Sequence, residues 1–294
     1  MSYRTFEFFD KIYLKYAPQF KGVENETNII LSLLNSEKPC MISRFGSTEL
    51  QTLSYIRFWP LSLPLRWRTY WNIQYASGFF PVNFPNLKQF YNLYKEDVKE
   101  MDLLITWRIE EFLFKDWLKG KDTVWKATID NFFSQETPWT QVLSGKRVLV
   151  VHPFKETIEQ QYQIREKLFD NPLALPEFKS LQIIKAVQSI AGNPVGFETW
   201  FDALQWMKDE IDKHDFDIAL LGCGAYGMPL AAHIKRTGKK AVHMGGILQF
   251  LFGIKGKRFL ETPETKGYIN DFFVFPDEKD RPKMADKVEG GCYW

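Results

Sequence analysis

The stretch that most constrains the fold of this chain is residues 215–246, which reads as strand, glycine turn, helix and strand. Residues 218–221 are a short apolar run of the kind a buried parallel strand needs. Gly222, Gly224 and Gly227 follow at G-x-G-x-x-G spacing, and residues 228–236 carry a helical pattern closed by Gly238. Residues 241–244 read as the next strand, which ends at Gly245 and Gly246. Glycines at such turns let the backbone approach a ligand, and the free N–H groups of a helix start attract an anion. The spacing therefore predicts half of a nucleotide-binding α/β unit, with Gly222, Gly224, Tyr226, Gly245 and Gly246 against the substrate. The plain alternative is a tight turn that packs without a ligand. A dinucleotide site also places Asp or Glu at the end of the second strand. Here that end reads Val242-His243-Met244, which disfavours a nicotinamide or flavin cofactor.

The same alternation runs through the rest of the chain. Residues 3–36 predict helices leading into a strand at 39–46, and 47–56 a helix with Ser47 as its N-cap. Further strands are expected within 102–107, 146–154 and 181–189. Helices are expected at 138–144 (Thr137 as cap), 157–169, 197–212 and 247–252. Strands separated by helices imply an α/β fold: a Rossmann-like, mostly parallel sheet with helices on both faces, in a single domain spanning 1–294. Residues 57–97 break the pattern with Phe, Trp, Tyr and Pro, and read as an aromatic-rich insertion of short helices and loop. Residues 276–294 read as a polar, irregular C-terminal segment whose final Tyr293-Trp294 is apolar enough to dock.

Composition narrows the function more than the fold. A net charge of +2, without a dense Lys/Arg run, gives no footprint for nucleic acid. Three well-separated cysteines, Cys40, Cys223 and Cys292, fit neither a disulfide framework nor a zinc site. Charges interrupt the apolar runs near Met1, so no signal peptide is expected, and no window offers the roughly 18 apolar residues of a transmembrane segment. A cytoplasmic protein is expected, with peripheral contact at the inner face of the membrane as an option. Aromatics reach 16%, and rings beyond those needed for a core suit sugar stacking or the membrane interface.

Candidate chemistry gathers at strand ends, where open α/β sheets bind ligands. Arg44 ends the first strand, and its planar fork suits a phosphate. Glu49, in the next helical turn, is placed to act as a base or to ligate a cation, although the helix dipole alone favours an acid there. His152 and His243 both end strands and are candidates for proton exchange with a leaving group. His214 and His233 read as structural. Lys255, Lys257 and Arg258 form a basic cluster after Gly246, with Lys255 assigned to a diphosphate. No G-x-S-x-G elbow occurs, which disfavours Ser-His-Asp chemistry.

Two of these segments carry a resemblance. Ile42-Ser-Arg-Phe-Gly-Ser-Thr-Glu49 resembles the R-F-G-D-G-E turn of bacterial glycosyltransferases with the GT-D fold, and residues 220–246 resemble their later strand-helix-strand unit. The resemblance implies a hexosyltransferase-type enzyme that takes a nucleotide-sugar, commonly a UDP-sugar, in surface polysaccharide or glycoconjugate synthesis. It places Arg44, Gly46, Ser47 and Glu49 at the donor site and implies a glycan or lipid-linked acceptor. It also implies a divalent cation, Mn or Mg, at a D-x-E motif. That motif falls on Ser47-Thr48-Glu49, so its Asp is replaced and only Glu49 remains as a metal ligand. The alternatives are a non-catalytic nucleotide- or sugar-binding protein of the same fold and an NAD-dependent oxidoreductase.

Overall fold

Short aliphatic runs with no polar face form the central strands in the computed structural model, which describes residues 19–285, 288 and 290–294. The strands are β1 (Cys40–Ser43), β2 (Leu103–Thr106), β3 (Asp122–Trp125), β4 (Arg147–His152), β5 (Ser180–Lys185), β6 (Ile218–Leu221) and β7 (Lys240–His243). All pair in parallel, in the order β3-β2-β1-β7-β6-β4-β5. Every residue of β1, β2 and β6 is buried, as a strand covered on both faces requires. Alternate side chains feed two cores. Ile42, Leu103, Val148, Val150, Leu220 and Val242 pack on one face, and Met41, Leu104, Leu149, Ala219 and Leu221 on the other. The α/β, Rossmann-like expectation holds.

The chain leaves β1 for β2 and β3 on one side, then builds the other side so that β7 returns beside β1. The strand order reverses between β1 and β7, and a crevice opens there beyond the carboxyl ends of the strands. Helices Ser47–Arg57 and Gly227–Arg236 both start at that edge.

Several local expectations need correction. The predicted helix within residues 3–18 lies outside the described residues, and the described first helix is Val23–Asn35. Gly46, not Ser47, is the N-cap of the next helix, and no side chain caps it. The segment at 138–144 is a 3-10 turn, Trp139–Leu143, preceded by extended Pro138. The helix expected at 157–169 stops at Tyr162 after starting at Lys155. Residues 57–97 are more regular than expected, holding two full helices, Arg66–Ser77 and Phe84–Asp97. Asn83 caps the second by accepting from the Asn86 N–H at 2.8 Å. Its Leu87, Phe90 and Tyr94 are buried along one stripe. Strand β3 was not anticipated from the sequence. It is a four-residue edge strand with only Val124 buried, too short to show a period. The last residues of the chain do dock: the Gln249 side chain donates to the Tyr293 carbonyl at 3.2 Å, and the Trp294 indole donates to the Asp280 carbonyl at 3.2 Å.

Candidate active site

A cavity of about 490 Å³ occupies the crevice between β1 and β7. Of the residues selected from sequence, Arg44, Gly46, Ser47, Glu49, His152, Gly222, Gly224, Tyr226, His243, Gly245 and Gly246 line it. Lys255 does not. Its ammonium sits 5.3 Å over the Phe275 ring, and its backbone N–H is bonded to the Val274 carbonyl. The neighbouring Arg258 lines the cavity instead.

Arg44 leaves β1 and turns across the carboxyl end of β7. Its guanidinium donates to the Met244 carbonyl at 3.3 Å, lies 4.6 Å from the Trp107 ring centroid and approaches Asp130 at 3.9 Å. Burial pushes its pKa down, opposed chiefly by Asp130. Asp130 also pairs with Lys126, so two cations share one carboxylate. Trp107 is fixed from behind: its indole donates to the Phe45 carbonyl at 2.8 Å, and its backbone N–H to buried Glu111 at 3.2 Å.

Glu49 is 5% exposed. It accepts from the Thr48 hydroxyl at 3.0 Å and the Ser77 hydroxyl at 3.4 Å, and those two hydroxyls bond each other. Its carboxylate folds back over Gly46, where a Cβ would lie 1.9 Å from Oε2. Burial raises its pKa, and the hydroxyl bonds and Arg44 only partly offset that. These residues do not fit the cation that the resemblance implies. A hard divalent ion needs several oxygens, commonly from carboxylates. Residue 47 is Ser, both Glu49 oxygens are engaged, and Asp130 is paired with Lys126 through Oδ2, which leaves the single buried Oδ1 without a hydrogen-bond partner. Among the described residues, no group of three His, Cys, Asp or Glu is placed to hold a metal.

Both strand-end histidines are buried in the floor. The His152 Nδ1 accepts from the Phe154 N–H at 3.1 Å, which puts the ring proton of the neutral form on Nε2. The His243 Nδ1 shares a hydrogen bond with the Ser43 hydroxyl at 3.2 Å. Burial lowers each pKa to about 3, with Arg44 adding to the effect at His243. Both rings are therefore neutral near pH 7. The structural reading of His233 agrees with its 2.8 Å contact to Asp212. The glycines around these rings make room for them. A Cβ at Gly222 would lie 2.7 Å from the His152 ring, and one at Gly227 2.2 Å from the His243 Nε2. Gly224, at φ +59°, has only the Ser77 carbonyl near its Cβ position, 3.8 Å away, so the turn stays open to the cavity there. Tyr226 is a brace: its ring stacks on Trp200 at 4.7 Å, and its hydroxyl meets Ser189 at 3.2 Å. Burial raises the Cys223 thiol to about 12, and all three cysteines are buried thiols outside any disulfide.

Sequence reasoning missed Trp107, Lys126 and Asp130. Trp107 stands just past the end of β2, at the same edge as Arg44, and strand-end position was a readable signal. Lys126 and Asp130 follow β3 on the short helix Lys126–Asp130, and were lost with that strand.

Residues 110–251 match a family model described as a GT-D fold-like domain. A solved glycosyltransferase (DUF1792) from Streptococcus sanguinis is similar at 12% identity and TM-score 0.45, covering 89% of this chain and 96% of that one. A selenomethionine-substituted domain of unknown function 1792 is similar at 10% identity and TM-score 0.42, covering 87% and 96%. No curated protein matches.

Proposed function

We propose, from the GT-D fold-like domain across residues 110–251, that the protein is a glycosyltransferase that moves a sugar from a nucleotide-sugar to an acceptor hydroxyl. The carrying observation is buried Arg44 at the carboxyl end of β1, beside the Gly245–Gly246 turn and inside the cavity at the strand-order reversal. In this reading the donor diphosphate lies over that turn, where Arg44 stabilises the charge that develops as the bond from sugar to phosphate breaks. Glu49, whose pKa is raised by burial, positions the acceptor or exchanges a proton with it. The neutral rings of His152 and His243 act only as N–H donors or as packing. A UDP-hexose donor and a role in surface polysaccharide or glycoconjugate synthesis follow from the resemblance of residues 42–49.

The surface beside the cleft supports a lipid-linked acceptor. Helix Arg66–Ser77 lines the cavity with Ala76 and Ser77 at one end. Its other end displays Trp67, 78% exposed, near Leu61, 86% exposed, with exposed Arg66 and Arg68 beside them. Aromatic and basic groups together suit a membrane interface, and no helix among the described residues is long and apolar enough to cross one. We place the protein at the inner face of the membrane on that basis.

The test is thermal stabilisation by UDP, GDP, CMP, UDP-sugars and NAD. A ligand at about 100 times its Kd adds about 2.7 kcal/mol. Stabilisation by one nucleoside diphosphate and its sugar, with transfer lost in Arg44→Ala and Glu49→Ala, is expected. A response to NAD alone overturns the reading.

A further inference from the structure

We infer that this cleft holds the donor diphosphate with side-chain cations in place of a divalent metal ion, and that Arg258 is the second guanidinium of that cradle. The inference rests on the glycosyltransferase reading of the same site. Two guanidiniums flank the Gly245–Gly246 turn. Arg44 comes from β1, with Nη1 3.7 Å from where a Cβ on Gly245 would stand, and Arg258 from helix Lys257–Glu261, with Nη1 2.9 Å from the same point on Gly246. Gly245 leaves its side of the turn open, with nothing nearer than 3.7 Å to its Cβ position, while at Gly246 the missing side chain makes room for the Tyr293 ring at 2.7 Å and for Arg258, so an anion over Gly245 meets the Arg44 fork with Arg258 beside it. Arg258 is braced by the Tyr293 ring, 5.1 Å from its guanidinium carbon, and its backbone N–H bonds the Cys292 carbonyl at 3.1 Å.

The lining carries as many carboxylates as cations, and it is their placement that favours an anion at the Gly245–Gly246 turn. Arg44, Lys126 and Arg258 bring three positive charges to the lining. Asp130 is shared between Arg44 and Lys126, and Glu49 is held by two hydroxyls over Gly46. The remaining acid of the lining, Glu264, sits at the exposed rim. Burial is the main cause of the lowered Arg44 pKa, and Arg258 adds to it as a second nearby cation, a repulsion that a bound diphosphate relieves. Asp130 keeps one buried oxygen, Oδ1, without a hydrogen-bond partner, but Arg44 stands 3.9 Å from it, Lys126 holds the other oxygen and two hydroxyls hold Glu49, so a metal there would gain a single carboxylate oxygen beside a cation before it displaced a partner. The planar forks already supply what the metal supplies elsewhere: positive charge at the bridging and terminal phosphate oxygens.

Isothermal titration of the intact protein with inorganic pyrophosphate and with UDP, each in EDTA and in Mn²⁺, tests this. Pyrophosphate affinity is expected to change less than about twofold between the buffers and to fall about tenfold or more in Arg258→Ala. Arg258→Lys is expected to recover only part, because an ammonium cannot form the fork. Circular dichroism melting checks that the variants remain folded. Binding that requires Mn²⁺, unchanged affinity in folded Arg258→Ala, or no pyrophosphate binding in either buffer overturns the inference. UDP binding only with Mn²⁺ sinks it while leaving the donor reading intact. Metal-independent pyrophosphate binding with no response to any nucleotide leaves the anion cradle standing and removes the donor.

Discussion

Two strand-to-helix turns open onto the same cleft, and each needs a glycine for a different reason. The turn after β6 carries the conspicuous G-x-G-x-x-G spacing, yet Gly222 and Gly227 stand where the His152 and His243 rings need room. The turn after β1 is less regular in sequence, and Gly46 makes room for the movable end of Glu49. One set of glycines admits rigid, buried rings and so belongs to packing. The other admits a carboxyl that can swing, in a turn that also presents Arg44. A glycine motif thus reports close approach, and what approaches decides whether it is structural or functional.

The sharpest way to break this contrast is Gly227→Ala. Its methyl would meet a ring that is bonded to Ser43 and enclosed by core, so something must shift. A loss of about 3 kcal/mol is expected in denaturant unfolding, the upper part of the usual overpacking range. A loss under about 1 kcal/mol would mean that the His243 ring is not fixed.

The pH dependence follows from the same packing. The pKa of each ring is lowered from 6.5 to about 3 in the folded state. A lowered pKa contributes stability that is present above 6.5 and is lost as pH falls toward 3. At pH 5.5 the expected loss is about 1.4 kcal/mol for each ring, relative to pH above 7.5. Burial raises Asp97 to about 6 and Glu111 to about 7, and these carboxyls act in the opposite direction over the same range. The measurement is therefore the difference between wild type and His152→Gln across pH. A difference that does not shrink toward acid would show His152 titrating as a solvated group.

A smaller effect is expected at Gly224, which holds φ +59° with open space before it. Gly224→Ala adds left-handed strain of about 1 kcal/mol and no clash. Pyrophosphate affinity is expected to hold, because the charged cradle lies at the other glycine pair. A large loss of affinity would move the anion to the G-x-G-x-x-G turn.

What the sequence made legible follows the same division. Strands β1, β2, β4, β5, β6 and β7 were readable because buried parallel strands are aliphatic runs. β3 was not, since Asp122-Thr-Val-Trp125 has one buried residue and no period, and Lys126 and Asp130 went unnoticed with it. Strand-end position found Arg44, His152 and His243. It could not tell Lys255 from Arg258, because which member of a basic cluster faces the cleft is set by the bridge of Ile254 to Val274 and by docked Tyr293. Nor does residue type reveal that the two histidines are neutral, a consequence of burial alone.

The smallest effect on stability, and the most specific one on the site, is expected from Gly46→Ala. The backbone there is extended at φ −80°, so alanine brings no strain. The three atoms nearest to its methyl all belong to the end of the Glu49 side chain, with Oε2 at 1.9 Å. That carboxyl can rotate away, giving up its bonds from Thr48 and Ser77, which retain each other. The cost should be about 1 kcal/mol, well below that of Gly227→Ala. The displaced carboxyl then enters the cavity beside Arg44, loses its burial and ionises more readily. Its negative charge would oppose a diphosphate at the neighbouring turn, so Gly46→Ala should weaken pyrophosphate binding while melting close to wild type. Gly46→Ala combined with Glu49→Gln removes the charge and should restore most of the binding. Equal destabilisation by Gly46→Ala and Gly227→Ala would erase the distinction between the two turns. Unchanged binding in folded Gly46→Ala would place the anion out of reach of Glu49.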